Sequence, residues 1–494
     1  MSAAAANRPS GIVARAPQLE ADVVVIGSGA GGATTAALLA EAGFDVLILE
    51  EGPWVDQDSV VPFSLEQMDR QYRSGGVTVA LGLPTVAYTE GRCAGGGTEV
   101  NSGLYFRPPT EVVERWRSEF RIDDLDPDVI GDIADEVEHA LHVSTVPGNP
   151  TPASEKMRLG AATLGWKHSE IPRWMVYPPG GDAATGKRQS MTRTYLPRAF
   201  AAGARMVVDC RVDKFSARGR GTHDVQVSYA DGTSGKARAK YVFVCGGAIQ
   251  TPAILQRSGL RKNIGATLAV HPTVKLSARF TDEINVPDDV PVHQVKEFAP
   301  DLSFGGSASH PGLVALALSD HWRSFSQAIT DWRRISIYYA AITSEGRGRV
   351  LAVPGLRDPL VTYRLTHRDR ELLRSGLGRL ALLMLEAGAN EVYPSFRNAP
   401  LVTDRASLGE MQQRFAASKA SVMTVHLCST VPLGEDRSRC GANSFGLVHG
   451  TDSVYVNDAS LLPTAPGVNP QATVMALAIR NARQFIADHG GARG

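Results

Sequence analysis

The stretch from Ala21 to Gly52, ADVVVIGSGAGGATTAALLAEAGFDVLILEEG, constrains this chain more than any other. Asp22 to Ile26 is an apolar, β-branched run of strand length, and Gly27-Ser28-Gly29-Ala30-Gly31-Gly32 follows it at once. An Ala/Leu-rich helical segment then runs to Glu41, Gly43 suits the position just past a helix, and Asp45 to Leu49 reads as a second strand. Strand, glycines, helix, strand and the acid Glu50 predict a βαβ unit of the dinucleotide-binding kind. Gly27 allows the tight turn, Gly29 lets backbone approach a pyrophosphate, and Gly32 lets helix and strand pack closely. The helix N-terminus supplies free N–H groups and the positive end of a dipole to phosphates. Glu50 can accept hydrogen bonds from both ribose hydroxyls. FAD and NAD both use such a unit, and the stretch alone does not choose between them.

The same grammar returns far downstream. Tyr241 to Leu260 (YVFVCGGAIQTPAILQRSGL) is an apolar strand, Gly246-Gly247 and a helix with Pro252 expected in its first turn. Val454–Val456, Asp458 and an apolar helix opened by Pro470 and running through Ile486 make a third such segment. Between them lie expected helices at 111–119 and 128–141, a short helix and strand within Met191–Phe215, and strands at 225–229 and 239–244 joined at Asp231-Gly232. From His271 to Val422 the glycine grammar disappears. Runs at 273–280, 312–318 and 335–342 read as strands and Arg368–Ala387 as a long helix, which predicts an inserted sheet-plus-helices domain.

With 494 residues the chain has ample core for more than one domain. Lys+Arg and Asp+Glu both number 51, so no global charge argues for nucleic acid or membrane surfaces. The five cysteines are scattered and form no disulfide framework or zinc spacing, so no metal is expected. No window approaches a membrane span and the first residues lack a signal-peptide core, so the chain reads as cytoplasmic.

Five regions, in order, resemble the glucose–methanol–choline (GMC) flavin oxidoreductases over nearly the whole chain. They are VIGSGAGG with Glu50, GRCAGGGTEVNSG, TYLPRA with the strand after it, GGAIQTPAILQRSGL, and HLCSTVPLG with VNDASLLPTAPGVNPQATVMAL. The resemblance implies FAD rather than NAD and a mixed α/β fold. A Rossmann-like FAD-binding domain is expected from residues 17–110, 190–268 and 440–494, a substrate domain with an antiparallel sheet and helices from 111–189 and 269–439, and a flexible tail over 1–16. By resemblance, Gly27, Gly29, Gly32 and Glu50 bind the ADP half, Gly96 and Asn101 line the flavin, and backbone at Val212 meets adenine. Asp458 matches the acid near the pyrophosphate and ribityl chain. Asn469 and Pro470 stand at a helix start that points its dipole at the flavin N1–C2=O edge.

The catalytic pair of the family falls on His426 and Asn469. An imidazole of near-neutral pKa can take the hydroxyl proton of an alcohol while its hydride goes to flavin N5. A neighbouring amide can orient the substrate oxygen without competing for the proton. His271 reads as structural or as a residue behind the pair. Val100 stands where tethered members carry a His, so dissociable FAD is expected. Two readings of Glu99 stay open, a contact with a cationic substrate group or an ion pair with Arg92 or Arg107. Cys428 and Cys440 read as isolated buried thiols, with a redox pair as the alternative. The expected partners are a small-molecule alcohol and O2 or another electron acceptor. TGKRQSMTRTYLPRA, HLCSTVPLG and ASLLPTAPGVNPQATVMALA resemble a short bacterial branch of the family that holds long-chain alcohol oxidases and enzymes oxidising the 6′-hydroxyl of aminoglycosides. The preferred substrate is therefore a primary hydroxyl of a sugar-like compound such as an aminoglycoside, with the acids of Pro287–Ser309, which would attract a polyamine, as a lesser support. A long-chain or sterol alcohol is the alternative, and a lyase with structural FAD is the reading of another class.

Overall fold

The computed structural model describes residues 9–218, 221–287 and 289–490. Two sheets, each with its own hydrophobic core, enclose one large cavity.

The first sheet grows from the opening βαβ unit. The Gln18–Ile26 strand pairs in parallel with Val46–Leu49 on one side and Ser234–Val244 on the other, and Arg205–Val207 extends the first edge. The Ser234–Val244 strand is shared along its length. Its first half pairs antiparallel with Thr222–Tyr229, and its last residues pair in parallel with Val454–Val456. Val23, Val24 and Val25 are fully buried, as parallel strands covered on both faces demand. The Ala30–Glu41 helix packs on this sheet beside the final helix, Gln471–His489. Asp231-Gly232 makes the expected turn, with the Gly232 N–H donating to the Tyr229 carbonyl (3.0 Å).

The second sheet is nine-stranded and mostly antiparallel. Its centre is Thr273–Arg279, Ile335–Ile342, Leu302–Ser307 and His293–Val295. Side chains alternate across it with period two. Val274, Leu276, Ala278, Tyr338, Ala340, Ile342, Phe304 and Val295 face a core closed by the Pro152–Leu164 and His367–Glu386 helices. Thr273, Lys275, Tyr339, Ala341, Ser303 and Gln294 face the cavity. Gly305 sits opposite Tyr339, and a Cβ there would lie 2.5 Å from the Tyr339 hydroxyl.

Several expectations are corrected. The run at 312–318 is a helix, Pro311–Ala317, because Pro311 opens it and Leu and Ala dominate it. Pro252 lies inside the Gly247–Arg257 helix, past its first turn. The carbonyl it leaves without an N–H, that of Ala248, accepts from the Thr430 hydroxyl (2.8 Å). Strands Thr78–Ala80 and Val86–Tyr88, expected with the nucleotide-binding segments, join the second sheet, where Val86–Tyr88 pairs in parallel with Val422–Thr424. Helices Thr110–Phe120 and Pro127–Ala140, expected in the substrate domain, bury Val113, Trp116, Ile133 and Val137 in the first core. Of the expected tail, residues 1–8 lie outside the described residues, while Ile12 bridges to Met206 beside the first sheet.

Candidate active site

A cavity of about 600 Å³ runs between the two sheets. Its walls include Gly27, Gly29, Glu50, Gly96, Asn101, Val212, Asp458, His426, Asn469 and Pro470, so all the expected site residues but Gly32 meet on one surface. Gly32 has a packing role, since a Cβ there would sit 2.1 Å from the Gly27 carbonyl oxygen. Gly27 turns at φ +97°, a conformation glycine adopts without strain. Gly31 is a further requirement, because its Cβ would meet the Asn457 carbonyl oxygen at 2.0 Å. Gly29 is different. It caps the Ala30–Glu41 helix with no side-chain acceptor, and the nearest protein atom to a Cβ there is 4.0 Å away. Free N–H groups beside open space are what a phosphate requires.

Each acid at this end is held by the protein. Glu50 accepts from the Ser28 N–H (3.0 Å), the Ser28 hydroxyl (2.7 Å) and the Gly52 N–H (2.8 Å), while burial pushes its carboxyl pKa up. Asp458 accepts from the N–H groups of Ser460 (2.8 Å) and Gly247 (2.7 Å) and from the Thr251 hydroxyl, and burial again raises its pKa. It thereby clamps the second Gly-Gly turn to the loop before the last helix. Val212 precedes a bulge that breaks the ladder between Val212 and Lys214. Asn101 donates to the Gln471 side chain (2.8 Å) at the start of the final helix. That helix begins after Pro470 with no side-chain cap, and Asn469, Pro470, Gln471 and Val474 line the cavity.

The other end holds two histidines. His271 Nδ1 and His426 Nδ1 lie 2.9 Å apart, and the Gly467 N–H donates to His271 Nε2 (3.0 Å). A neutral imidazole has one donor and one acceptor nitrogen. The Gly467 contact therefore puts the His271 proton on Nδ1, where His426 Nδ1 accepts it. Neutral His426 then carries its proton on Nε2, the ring nitrogen left for the cavity. Burial, helped by the charge of Lys296, pushes the His426 pKa down to about 4. Burial, with His426 and Lys296 beside it, also lowers that of His271. Asn469 lines the same space, and among the described residues its side-chain amide has no protein partner.

GMC oxidoreductase family models match residues 68–273 and 345–478, and a Rossmann-like NAD(P)-binding model matches 25–55. The chain belongs to the GMC oxidoreductase family. A GMC-type oxidoreductase of Sinorhizobium fredii is 39% identical over 480 residues, 95% of each chain. The 6'''-hydroxyparomomycin C oxidase of Streptomyces lividus is 26% identical over 534 residues, 95% of this chain and 91% of that one. The crystal structure of pyridoxine 4-oxidase shares the fold, with a TM-score of 0.70 at 19% identity over 95% of this chain and 99% of the other. As in other GMC oxidoreductases the cofactor is FAD. The residues present fit it, with two uncapped helix starts, at Gly29 and Pro470, opening on a cavity lined by glycine backbone.

Other positions of this GMC enzyme fall outside the expected roles. Glu99 is buried away from the cavity and takes neither open reading. It accepts from the Thr192 hydroxyl (2.9 Å) and from Gln57, while Arg107 pairs with Glu138 (2.6 Å) and Arg92 faces Glu51 (3.7 Å). Cys428 and Cys440 are separate buried thiols that donate to the Ala269 and Leu433 carbonyls. The described acids of Pro287–Ser309 do not line the cavity. Asp289 pairs with buried Arg173 (2.7 Å), Glu297 accepts from the Lys167 N–H (3.0 Å), Asp301 pairs with Arg368 (2.6 Å), and Asp288 lies outside the described residues. The polar side chains this segment gives the cavity are Gln294, Lys296, Ser303 and Ser307. Sequence reasoning passed over these, and Lys275 and Tyr339 with them. Alternation within strands was the signal available, but polar residues at every second position read equally as a solvent-facing side.

Proposed function

We propose that this GMC oxidoreductase acts on a polar primary alcohol, with His426 and Asn469 meeting the reacting hydroxyl and FAD bound without a covalent tether. The observation that carries the reading is the cavity surface where His426, Asn469 and the uncapped start of the final helix come together. Bound FAD supplies the hydride acceptor, and O2 or another acceptor takes the electrons onward. Gly27, Gly29 and Gly96 admit the dinucleotide, Glu50 meets the ribose and Asp458 holds the turn beside the pyrophosphate. Val212 backbone meets adenine, and Asn101 and Pro470 fix the flavin edge. Asn469 orients the substrate oxygen through its unengaged amide.

At rest, the His426 Nε2–H is a donor to that oxygen. Removal of the hydroxyl proton by His426 needs the opposite tautomers of the histidine pair, which would turn a His271 N–H onto the Gly467 N–H. Proton transfer is therefore coupled to movement of Gly467, two residues before Asn469. Because burial and Lys296 hold the His426 pKa at about 4, His426 stays neutral as the pH falls through the range where an ordinary histidine protonates. The limiting rate of flavin reduction is expected to stay flat down to about pH 5 and to fall as the pH nears 4. A single inflection near pH 6.5 would remove this role for the histidine pair.

A polar substrate is supported by the hydrophilic floor of Thr273, Gln294, Ser303, Ser307 and Tyr339, and by the relationship to a hydroxyparomomycin oxidase. An apolar wall of Leu313, Leu316, Met423 and Val425 favours the second reading, a long-chain or sterol alcohol. The anaerobic visible spectrum of the holoenzyme tests both. Bleaching by a simple sugar supports the first, bleaching by an aminoglycoside with a free 6′-hydroxyl supports it with a cationic substrate, and bleaching by a long-chain alcohol or sterol supports the second. A flavin that no alcohol bleaches favours a lyase. Glu50→Ala is expected to weaken FAD binding about 10- to 100-fold, the usual effect of losing hydrogen bonds to a charged group. Titration of apoprotein with FAD measures it, and unchanged affinity would end the ribose assignment.

A further inference from the structure

We propose that the substrate carries an anionic group, a carboxylate or phosphate, held by Lys275 and Lys296 on the sheet floor of the cavity. This rests on the alcohol-oxidation reading and adds the class of alcohol to it.

Thr273 and Lys275 share one face of the Thr273–Arg279 strand, His271 stands two residues before that strand, and all three line the cavity. Lys296 lies just past the His293–Val295 strand, in phase with Gln294, and its charge acts on both histidines. Lys296 thus stands beside the histidines, and Lys275 lies on the same cavity floor against Ser307.

Neither is paired with an acid among the described residues. Lys275 Nζ donates to the Ser307 hydroxyl (3.1 Å), and Lys296 Nζ stands 4.5 Å from the centre of the Phe106 ring. Among the described residues, the acids that line the cavity, Glu50, Glu51, Glu90 and Asp458, belong to the nucleotide end and are already occupied there. Glu51 and Glu90 face Arg73, and Glu50 and Asp458 hold backbone N–H groups. Burial without a counter-charge pushes both lysine pKa values down to about 8. Holding two such cations in one enclosed space is costly unless a bound anion completes them. The FAD pyrophosphate is not that anion, because its free N–H groups and glycines are on the other sheet, at Gly27–Gly31.

Gln294, Tyr339, Ser303 and Thr273 surround the lysines with hydroxyls and an amide, the company an oxyanion requires. A polyamine would set its ammonium groups against two lysines, and an alkyl chain would leave both unpaired. An alcohol whose anionic group is separated from the carbinol carbon by a spacer satisfies both ends at once.

The test uses holoenzyme and matched ligands. Binding of 4-methylbenzoate and 4-methylbenzamide is read from the shift of the flavin spectrum, and anaerobic flavin reduction from 4-(hydroxymethyl)benzoate, its amide and 4-(hydroxymethyl)phenyl phosphate. The acids are expected to bind about 10- to 100-fold tighter than the amides. The tighter of carboxylate and phosphate names the group. Lys275→Met and Lys296→Met should each collapse the acid-to-amide ratio toward one, and Lys296→Arg should keep it. Equal binding of acid and amide to the unaltered enzyme, no spectral response to any anion, or a ratio untouched in both Met variants would overturn the proposal. If the acids bind tightly and no alcohol reduces the flavin, the anion site stands and the alcohol-oxidation reading falls.

Discussion

His426→Ala is expected to give a yellow protein whose flavin is reduced by alcohol about 10²–10⁴-fold more slowly, the loss that follows removal of a positioned acid–base group. The expectation separates chemistry from binding because of where His426 sits. The helix start at Gly29, the Glu50 loop and the Val212 bulge belong to the first sheet, whereas His426 follows the Val422–Thr424 strand of the second. FAD content should therefore hold while the rate falls. Substitution by alanine also leaves a hollow against His271 Nδ1, so added imidazole should restore part of the rate. Stopped-flow reduction under anaerobic conditions measures it, and an unchanged rate constant would take His426 out of the mechanism.

Asp289→Ala is expected to destabilise the holoenzyme by about 3–5 kcal/mol, because it strands a buried guanidinium. Arg173 and Asp289 are 3% and 4% exposed at the side chain and 2.7 Å apart. The pair ties the segment before the His293–Val295 strand to the Arg173–Val176 strand. The Trp174 N–H in turn donates to the Gly103 carbonyl (3.0 Å), two residues past Asn101. Arg173→Met combined with Asp289→Leu removes both charges and should recover most of the loss. Urea unfolding followed by flavin fluorescence decides it. A loss below about 1 kcal/mol would mean that the pair is solvated in solution.

The nucleotide-binding half was legible because its signals are local. Gly27, Gly29 and Gly32 sit within six residues, each with a separate steric duty, and the strands around them are buried on both faces. The His426–Asn469 constellation was legible only through the family resemblance, since nothing local marks a histidine inside VMTVHLC as facing a cavity. Three features escaped for the same reason. Thr78–Tyr88 joins the second sheet through a partner more than 300 residues away, Glu99 is satisfied by Thr192 and Gln57, and the lysines acquire meaning only when their strands close over the flavin-binding side. Where a side chain's role depends on a surface built from distant strands, composition and period do not report it. The Pro311–Ala317 misreading differs in kind, because a short apolar run suits a strand or a helix until its opening proline is weighed.

The parallel pairing of Val86–Tyr88 with Val422–Thr424 has a consequence for biosynthesis. At roughly 5–20 residues per second, a ribosome needs roughly 20–70 s to travel from the first of these strands to the second. For that interval Val86–Tyr88 waits without its inner neighbour, and Gln18–Ile26 and Ser234–Val244 can pair with each other long before Val454–Val456 and the last helix emerge. The nascent chain thus makes the Gly27–Gly31 turn long before the Gln471–His489 helix whose start lines the same cavity. The cavity wall at Asn469–Val474 is therefore supplied hundreds of residues after the glycine turn it faces, and FAD meets a complete site only once that wall has been made.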